Sequence, residues 1–152
     1  MVTGENSTED LLPERTKDWW KDHGKPVNNN EVFLYGYISD NGGQGKVTDT
    51  IRVNDDQYVI FPLINSEAAE KERAANDVSE YWKGTMYARI NGEDITGSAE
   101  QRATNDGSTF YNGYWIKWKR LTKGTVLEFG GKGPRGFQTD ATYTIVDETY
   151  VK

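Results

Sequence analysis

The C-terminal third of the chain constrains its fold more than any other part. Residues Leu121–Gly131 and Thr139–Val146 each alternate apolar and polar side chains, which is the period of a β-strand with one buried face. The residues between them are rich in glycine, as the loops of β-hairpins are. We therefore expect two paired strands that close a sheet beginning near Glu31.

The rest of the chain supplies enough strand patterns for an all-β domain. A single domain is expected from 152 residues, and a domain of that size buries about 68–70% of the surface of its unfolded chain. We predict one antiparallel, jelly-roll-like β-sandwich over residues 1–152. The predicted strands lie in 31–64 and 85–151 and are Val32–Ile38, Lys46–Val53, Tyr58–Ile64, Thr85–Ile90, Thr109–Lys119 and the closing hairpin. Pro62 cannot donate a hydrogen bond to a neighbouring strand, so we expect it at a sheet edge or a bulge.

Two segments depart from the strand pattern and predict helices. Residues 1–10 are polar and are expected to form a flexible lead, followed by a helix over 9–22. Residues 66–83 have apolar side chains at helical spacing, with Asn65 as the expected N-terminal cap. The sandwich is thus expected to carry one N-terminal helix and one inserted helix.

Composition excludes several classes of function. The net charge of −6 and the lack of a basic patch argue against nucleic-acid binding, because phosphate recognition needs clustered positive charge. The absence of cysteine excludes disulfides, a thiolate nucleophile and zinc–sulfur sites. No apolar run approaches the ~18 residues of a membrane span, and no signal peptide is recognisable. We expect no insertion into a membrane.

Most catalytic and cofactor signatures are missing as well. His23 is the only histidine, which excludes serine–histidine–aspartate triads and multi-histidine metal sites. The run Gly131–Gly136 has the glycine spacing of a dinucleotide-binding loop, but a strand and not a helix is expected after it, so we reject a nucleotide site. A flexible hairpin loop is the simpler interpretation. An anion held by Lys132 and Arg135 is the alternative.

Acidic residues leave two further options open. A glycosidase needs two carboxylic acids beside a sugar, and no pair in this chain is marked out by its sequence context. The available acids include the pairs Glu93/Asp94 and Asp55/Asp56, together with Glu128 and Asp140. Carboxylates in turns can instead bind calcium, and the candidates are Asp40, Asp49, Asp55 and Asp56. None has the EF-hand spacing, and the same residue types are ordinary turn formers, so the absence of a cofactor is the simpler expectation.

The aromatic strand Thr109–Lys119 is the strongest functional lead. Alternation places one set of side chains, Phe110, Tyr114, Ile116 and Trp118, on one face and a second set, Tyr111, Trp115 and Lys117, on the other. One face must build the core. If the second faces solvent, Tyr111 and Trp115 form a platform for sugar rings, with Lys117 beside it. The alternative is that this face is covered and its aromatic rings belong to the core.

Four short motifs follow one another along the chain. They are Arg15–Trp20, Val32–Gly36, Ile60–Asn65 and the closing pair Lys123–Gly131 and Asp140–Ile145. In its tryptophan-rich start, its FP-x-x-N segment and its closing GxxxxFGG…DxTYxI hairpin, over most of residues 15–146, the chain resembles a family of uncharacterised, mostly exported bacterial and archaeal β-sandwich proteins. It lacks the cysteines that members often carry and the proline before the closing glycine. The resemblance implies a sandwich located outside the cell or at its surface, and it implies no established activity.

Five residues, most of them in these motifs, are interpreted as structural. Gly130 and Gly131 are expected to end a strand where the backbone turns. Asn65 is the helix cap described above. Arg52 extends from an alternating strand and is expected to reach a polar partner, either Asp140 or a carboxylate of a helix.

Three functions remain open at this point. The first, which we favour, is a non-enzymatic domain that binds a glycan or another partner through its aromatic face or loops. The second is a structural subunit of a filament, surface layer or virion, in which the final strand, Tyr143–Val151, pairs with the sheet edge of a neighbouring copy. The third is a carbohydrate-active enzyme that uses an unmarked pair of carboxylates.

Overall fold

The computed structural model describes residues 2–7, 26–28, 31–34, 46–54, 56–70, 84–105, 110–132 and 138–146. These residues form strands and one short 3-10 turn, Thr96–Ser98, with no α-helix among them. The strands are β1 Glu5–Asn6, β2 Pro26–Asn28, β3 Glu31–Phe33, β4 Val47–Arg52, β5 Tyr58–Ala68, β6 Tyr87–Ile90, β7 Glu93–Asp94, β8 Glu100–Asn105, β9 Phe110–Lys119, β10 Val126–Lys132 and β11 Gln138–Val146. The predicted helix over 9–22 lies outside the described residues.

The strands form two sheets, which confirms the all-β class. Sheet A has the order β1-β9-β5-β3-β2, with β8 also paired to β9, and sheet B has the order β4-β11-β10-β6-β7. The expectation of antiparallel pairing throughout was wrong, because β3 pairs with β5 in parallel and β4 pairs with β11 in parallel. Strands β4 and β11 are far apart along the chain, so the local hairpin signals that predict antiparallel pairs carry no information on their direction.

The two sheets pack on each other through one apolar cluster, which gives a sandwich-like arrangement. The ring centroids of Phe61 in sheet A and Phe129 in sheet B are 4.4 Å apart, and Tyr143 stacks on Phe129 at 6.0 Å. Other members of the cluster come from both sheets and include Val32, Val59, Leu63, Ile116, Trp118, Ile51, Ala88, Ile90, Leu127, Ala141 and Ile145. The predicted core face of β4 is confirmed, since Ile51 and Val53 are buried in this cluster and Val47 packs against it.

Strand β5 is longer than its sequence pattern indicates. Its buried part agrees with the prediction, and the register with β9 shifts between Pro62 and Ile64, which confirms the expected bulge. The strand then continues to Ala68, so the helix predicted over 66–83 does not begin there; residues 71–83 lie outside the described part. Asn65 is therefore not a helix cap but a strand residue opposite Gly113. Pairing with β9 outweighs the local capping signal because it adds ladder hydrogen bonds and cross-strand contacts along this whole segment.

Gly130 and Gly131 lie inside β10 and not at a turn, which corrects their predicted role. A Cβ atom on Gly130 would lie 2.1 Å from the Thr139 carbonyl oxygen and 2.9 Å from the Tyr87 ring. A Cβ atom on Gly131 would lie 2.5 Å from the Ile64 side chain in the opposing sheet. Both glycines are thus required because neighbouring atoms approach the backbone too closely for a side chain.

The N-terminal residues make more contacts with the rest of the fold than their polar composition predicts. Residues 5 and 6, within the lead expected over residues 1–10, form β1, which pairs with the end of β9. Val2 packs against the apolar cluster, and the Trp118 indole Nε1 donates a hydrogen bond to the Thr3 carbonyl at 2.8 Å. These contacts tie the segment to the core.

Replacing Gly130 by alanine should destabilise the fold by about 1–3 kcal/mol or more, the usual cost of overpacking, because β11 and Tyr87 must both move. Gly97→Ala is the matched control, since no atom lies within 4 Å of the Cβ it would add. Gly97→Ala should change the free energy of unfolding by less than about 0.5 kcal/mol. Urea unfolding of both variants measures the difference, and equal stability of the two would contradict the close approach described here.

Candidate functional site

The predicted aromatic platform is not on the surface. Trp115 is only 2% exposed and Lys117 is also buried, so these two side chains do not form an open sugar-binding face. The alternation itself is confirmed for Ile116 and Trp118, which lie in the inter-sheet cluster. Tyr111 contributes its backbone to β9, and its side chain lies outside the described part.

Lys117 instead forms a buried ion pair that the sequence did not reveal. Its Nζ atom lies 3.0 Å from Oε1 of Glu31, and the side chains are only 6% and 10% exposed. The Tyr58 ring lies beside it, with Lys117 Nζ 4.5 Å and Lys119 Nζ 4.9 Å from the ring centroid. Glu31 begins β3, and no spacing in the sequence links it to a residue 86 positions away. Burial of both charges makes this pair costly to break from one side.

The outer face of sheet B is different, because it is polar and open to solvent. In each of its four main strands, residues that pack into the core alternate with residues that point away from it. We call the outward set the polar face. It consists of Thr48, Thr50, Arg52, Tyr87, Arg89, Glu128, Asp140, Thr142 and Thr144, all of them exposed or half-buried.

The register of the strands aligns the polar face in rows. One row runs across four strands through Thr48, Thr142, Glu128 and Arg89. A second row joins Thr50 to Thr144 on the parallel pair β4–β11. A third row passes from Asp140 over Gly130 to Tyr87. Directly opposite residues lie close enough for their side chains to interact, so each row is a set of neighbouring polar groups.

A network of contacts fixes the side chains at one end of the polar face. The Tyr87 hydroxyl reaches across Gly130 and donates a hydrogen bond of 2.5 Å to Oδ1 of Asp140. The Arg89 guanidinium carbon lies 4.7 Å from the centroid of the Tyr87 ring. The Nη2 atom of Arg89 lies 3.5 Å from Oε2 of Glu128. Burial, together with the hydrogen bond to Asp140 and its negative charge, raises the pKa of the Tyr87 hydroxyl well above its usual range. Tyr87 therefore acts as a neutral donor and not as a base.

The structure brings together one of the acid combinations considered for a glycosidase. Glu128 and Asp140 are diagonal neighbours on adjacent strands of the polar face, where such positions are about 7–8 Å apart. Glu128 contacts Arg89. Asp140 accepts a hydrogen bond from the Tyr87 hydroxyl. Asp94 lies elsewhere, on β7, where two hydrogen bonds from Thr96 hold the pKa of its carboxyl below the usual range.

The remaining predicted sites are not assembled by the described residues. Arg52 lies opposite Val146, six positions along β11 from Asp140, or about 20 Å at strand spacing, so Asp140 is not its partner. Lys132 is exposed in β10, whereas Arg135 lies outside the described part. Of the calcium candidates, Asp49 and Asp56 are exposed, and Asp40 and Asp55 lie outside it.

Metal-binding clusters and membrane-spanning helices are both absent from the residues that the structure describes. No cluster of three or more histidine, cysteine or acidic side chains suited to a metal ion occurs in that part of the chain. It also has no helix of the length and apolarity that crossing a membrane requires. The polar face is the candidate site that the geometry best supports, because its polar side chains are accessible to solvent and aligned across neighbouring strands.

Removing the Lys117 ammonium from its buried ion pair should lower the free energy of unfolding far more than breaking the half-exposed contact between Arg89 and Glu128. Lys117→Met leaves Glu31 buried without its counter-charge and is expected to destabilise the fold by about 3–5 kcal/mol. Glu128→Gln breaks the half-exposed contact with Arg89 and should cost less than about 1 kcal/mol. The double variant Glu31→Gln/Lys117→Met should recover most of the lost free energy of unfolding, because it leaves no unpaired charge at this buried site. Denaturant unfolding of the four chains tests this, and a Lys117→Met effect as small as that of Glu128→Gln would contradict the buried pair.

Tyr87→Phe should destabilise the protein at neutral pH, by about 1.5 kcal/mol, because it removes a hydrogen bond to a charged acceptor. Since the folded pKa of Tyr87 is raised, the folded state favours the neutral hydroxyl. This stabilisation is fully present below the unfolded pKa of about 10 and decreases progressively as the pH rises from there through the folded pKa. The stability difference between wild type and Tyr87→Phe should therefore shrink above that pH. Unfolding curves at neutral and alkaline pH measure this stability difference. The variant Asp140→Asn is expected to show a weaker pH dependence. A stability difference that grows with pH would refute the prediction.

Comparisons with protein-family models, with curated proteins and with solved structures found no match to this chain. The resemblance in the tryptophan-rich start and the closing hairpin therefore stays a prediction from those motifs. The structural features that bear on function are the buried ion pair, the polar face and the edges of the two sheets.

Proposed function

We propose that this domain binds a neutral glycan on the polar face of sheet B. The observation that carries the proposal is the set of solvent-accessible hydroxyl, guanidinium and carboxylate groups aligned across four strands. Its side chains bond to one another, as Tyr87 does to Asp140, so part of the face is already ordered before a ligand arrives. Preorganised polar groups bind a ligand with a smaller loss of conformational entropy.

The charge of the polar face favours a neutral ligand. The two arginines, Arg52 and Arg89, are balanced by the two acids, Glu128 and Asp140, and the whole chain carries −6. Four threonine hydroxyls can each donate and accept hydrogen bonds, as the hydroxyls of a sugar do. The longest row crosses four strands, about 14 Å, and the three rows extend about 13 Å along the strands, which suits a short oligosaccharide.

Binding is favoured over hydrolysis for this face. Glu128 and Asp140 are neighbours on this face, but each already contacts another side chain. A general acid or nucleophile needs a carboxyl that is available to the sugar. We therefore assign the two acids to holding Arg89 and Tyr87 in place.

Assembly through the C-terminal strand is not favoured. Residues 138–146 form β11, which is paired on both sides, to β4 and to β10, so this part of the predicted donor strand is already used within its own sheet. At the exposed edge strand β4, the Asp49 carboxylate accepts a hydrogen bond of 2.8 Å from the Thr50 amide. A charged residue that occupies a backbone donor discourages pairing with another chain.

The location that accompanies this proposal is outside the cell or at its surface, as the resemblance of the motifs implies. A jelly-roll arrangement with two added helices, the second starting no earlier than the end of β5, belongs to the same proposal. A location outside the cell is compatible with a chain that has no cysteine.

Binding to immobilised and soluble neutral polysaccharides, by affinity electrophoresis and calorimetry, tests the function. For a polysaccharide that the wild type binds, Arg89→Ala and Thr144→Val should each weaken the affinity about tenfold, which corresponds to ~1.4 kcal/mol of binding free energy. Lys123→Ala and Thr122→Val are matched controls in the exposed turn after β9 and should leave affinity unchanged. Release of reducing ends would instead indicate hydrolysis. The proposal fails if no neutral polysaccharide binds or if the polar-face variants bind as the wild type does.

A further inference from the structure

The dipeptide Asn–Gly occurs in two opposite settings within the described residues. Asn91–Gly92 forms the exposed turn between β6 and β7, whereas Asn112–Gly113 lies inside β9. A third pair, Asn41–Gly42, lies outside the described part. Asparagine is a chemically labile residue, and a glycine after it has no Cβ atom to hinder attack by the backbone nitrogen on the side chain. The same reactive pair is thus present in two different environments.

The turn at Asn91 leaves the backbone nitrogen of Gly92 accessible. The φ angles are 51° at Asn91 and 83° at Gly92, which is typical of a two-residue hairpin turn. Both residues are exposed, and no atom lies within 4 Å of the place where a Cβ atom on Gly92 would be. The Gly92 amide donates no hydrogen bond to any residue that the structure describes. Its nitrogen is therefore open to the neighbouring side chain.

The carbonyl group of the Asn91 side chain is held and polarised. The Val126 amide donates a hydrogen bond of 2.9 Å to Oδ1 of Asn91, and the Asn91 amide donates one of 2.9 Å to the Val126 carbonyl. A donor on Oδ1 stabilises the negative charge that develops on this oxygen when a nucleophile attacks Cγ. Since Asn91 is exposed, water can reach the same carbon.

Asn112–Gly113 lies where the same reaction is hindered. Asn112 is only 7% exposed, and its Oδ1 accepts a hydrogen bond of 3.0 Å from the Gln101 side chain. Gly113 pairs with Asn65 on β5 and with Arg102 on β8, so strands on both sides fix its backbone. A reaction there first requires local opening of sheet A, which costs more free energy than movement of an exposed turn.

From this contrast we infer that Asn91 is a site of spontaneous modification, by deamidation, in the folded protein. The Gly92 backbone nitrogen attacks Cγ of Asn91 and forms an N–Cγ bond. The Cγ–Nδ2 bond breaks, and Nδ2 leaves as ammonia with the proton that the Gly92 amide gives up. Water then opens the cyclic imide at either of its carbonyl groups, which yields aspartate or isoaspartate. The reaction consumes only water and is independent of glycan binding.

The modification changes the turn in two ways. It adds a negative charge directly after β6, the strand that contains Tyr87 and Arg89. Isoaspartate also lengthens the backbone by a carbon atom. The two-residue connection that sets the pairing of Ile90 with Glu93 is then no longer the same. We therefore expect the isoaspartate form to lose the hydrogen bonds between this turn and Val126.

Peptide mapping by mass spectrometry of the full wild-type chain tests the site. The folded protein is kept at mildly alkaline pH, where the Gly92 amide loses its proton more readily, and is digested at intervals. Asn91 should be converted to aspartate and isoaspartate at least about tenfold faster than Asn112, because only the latter requires opening of a central strand. Asn54, a described residue followed by aspartate and not by glycine, should also react at least about tenfold more slowly than Asn91.

The same experiment in urea is the control for the fold. In the unfolded chain both Asn–Gly pairs are exposed, so Asn91 and Asn112 should react at similar rates. The variant Asn91→Gln should lose the modification at the turn, since its longer side chain must close a larger ring, and should leave the rate at Asn112 unchanged. A folded-state rate at Asn91 no higher than that at Asn112 or Asn54 overturns the inference. A tenfold difference between the two pairs that persists in urea also overturns it, because the fold would then not be its cause.

Discussion

The packing of β5 against β10 is the contact on which the rest of the structure depends. Phe61 meets Phe129 there, and Gly131 lets the backbone of β10 approach Leu63 and Ile64 without an intervening side chain. Because β5 is paired along its whole length to β9, and β10 to both β6 and β11, this one contact links the centres of the two sheets. The close approach fixes which face of each sheet is inside.

Once the inner faces are fixed, the two outer faces have opposite characters. The outer side of sheet A contains the buried Glu31–Lys117 pair and the buried Trp115, so its polar groups serve the fold. The outer side of sheet B has threonines, arginines and acids that are accessible to solvent, and its contacts order the side chains without hiding them. A ligand can reach the second set. This difference is why the proposed binding site moves from the aromatic strand to the polar face.

Several elements could be predicted from sequence because their signals are local. The alternation in 46–53 and 109–119 gave strands with the correct inner faces, and Pro62 marked a bulge because proline has no amide hydrogen. The same local reasoning failed at 65–68, where capping residues predicted a helix and pairing with β9 produced a strand. It also misread Gly130, because a glycine required by a neighbouring ring looks the same in sequence as a glycine required by a turn.

The sequence by itself determined the class of the fold, the alternation of the main strands and the exclusion of cysteine and multi-histidine chemistry, because these follow from composition and from the two-residue period of a strand. Only the tertiary structure decided which strands are neighbours and in which direction they run. Those pairings place Lys117 beside Glu31, Tyr87 beside Asp140 and the N-terminal segment beside β9. Each contact joins residues separated by more than fifty positions, and its energy depends on burial and register, neither of which is encoded in the spacing of residues along one strand.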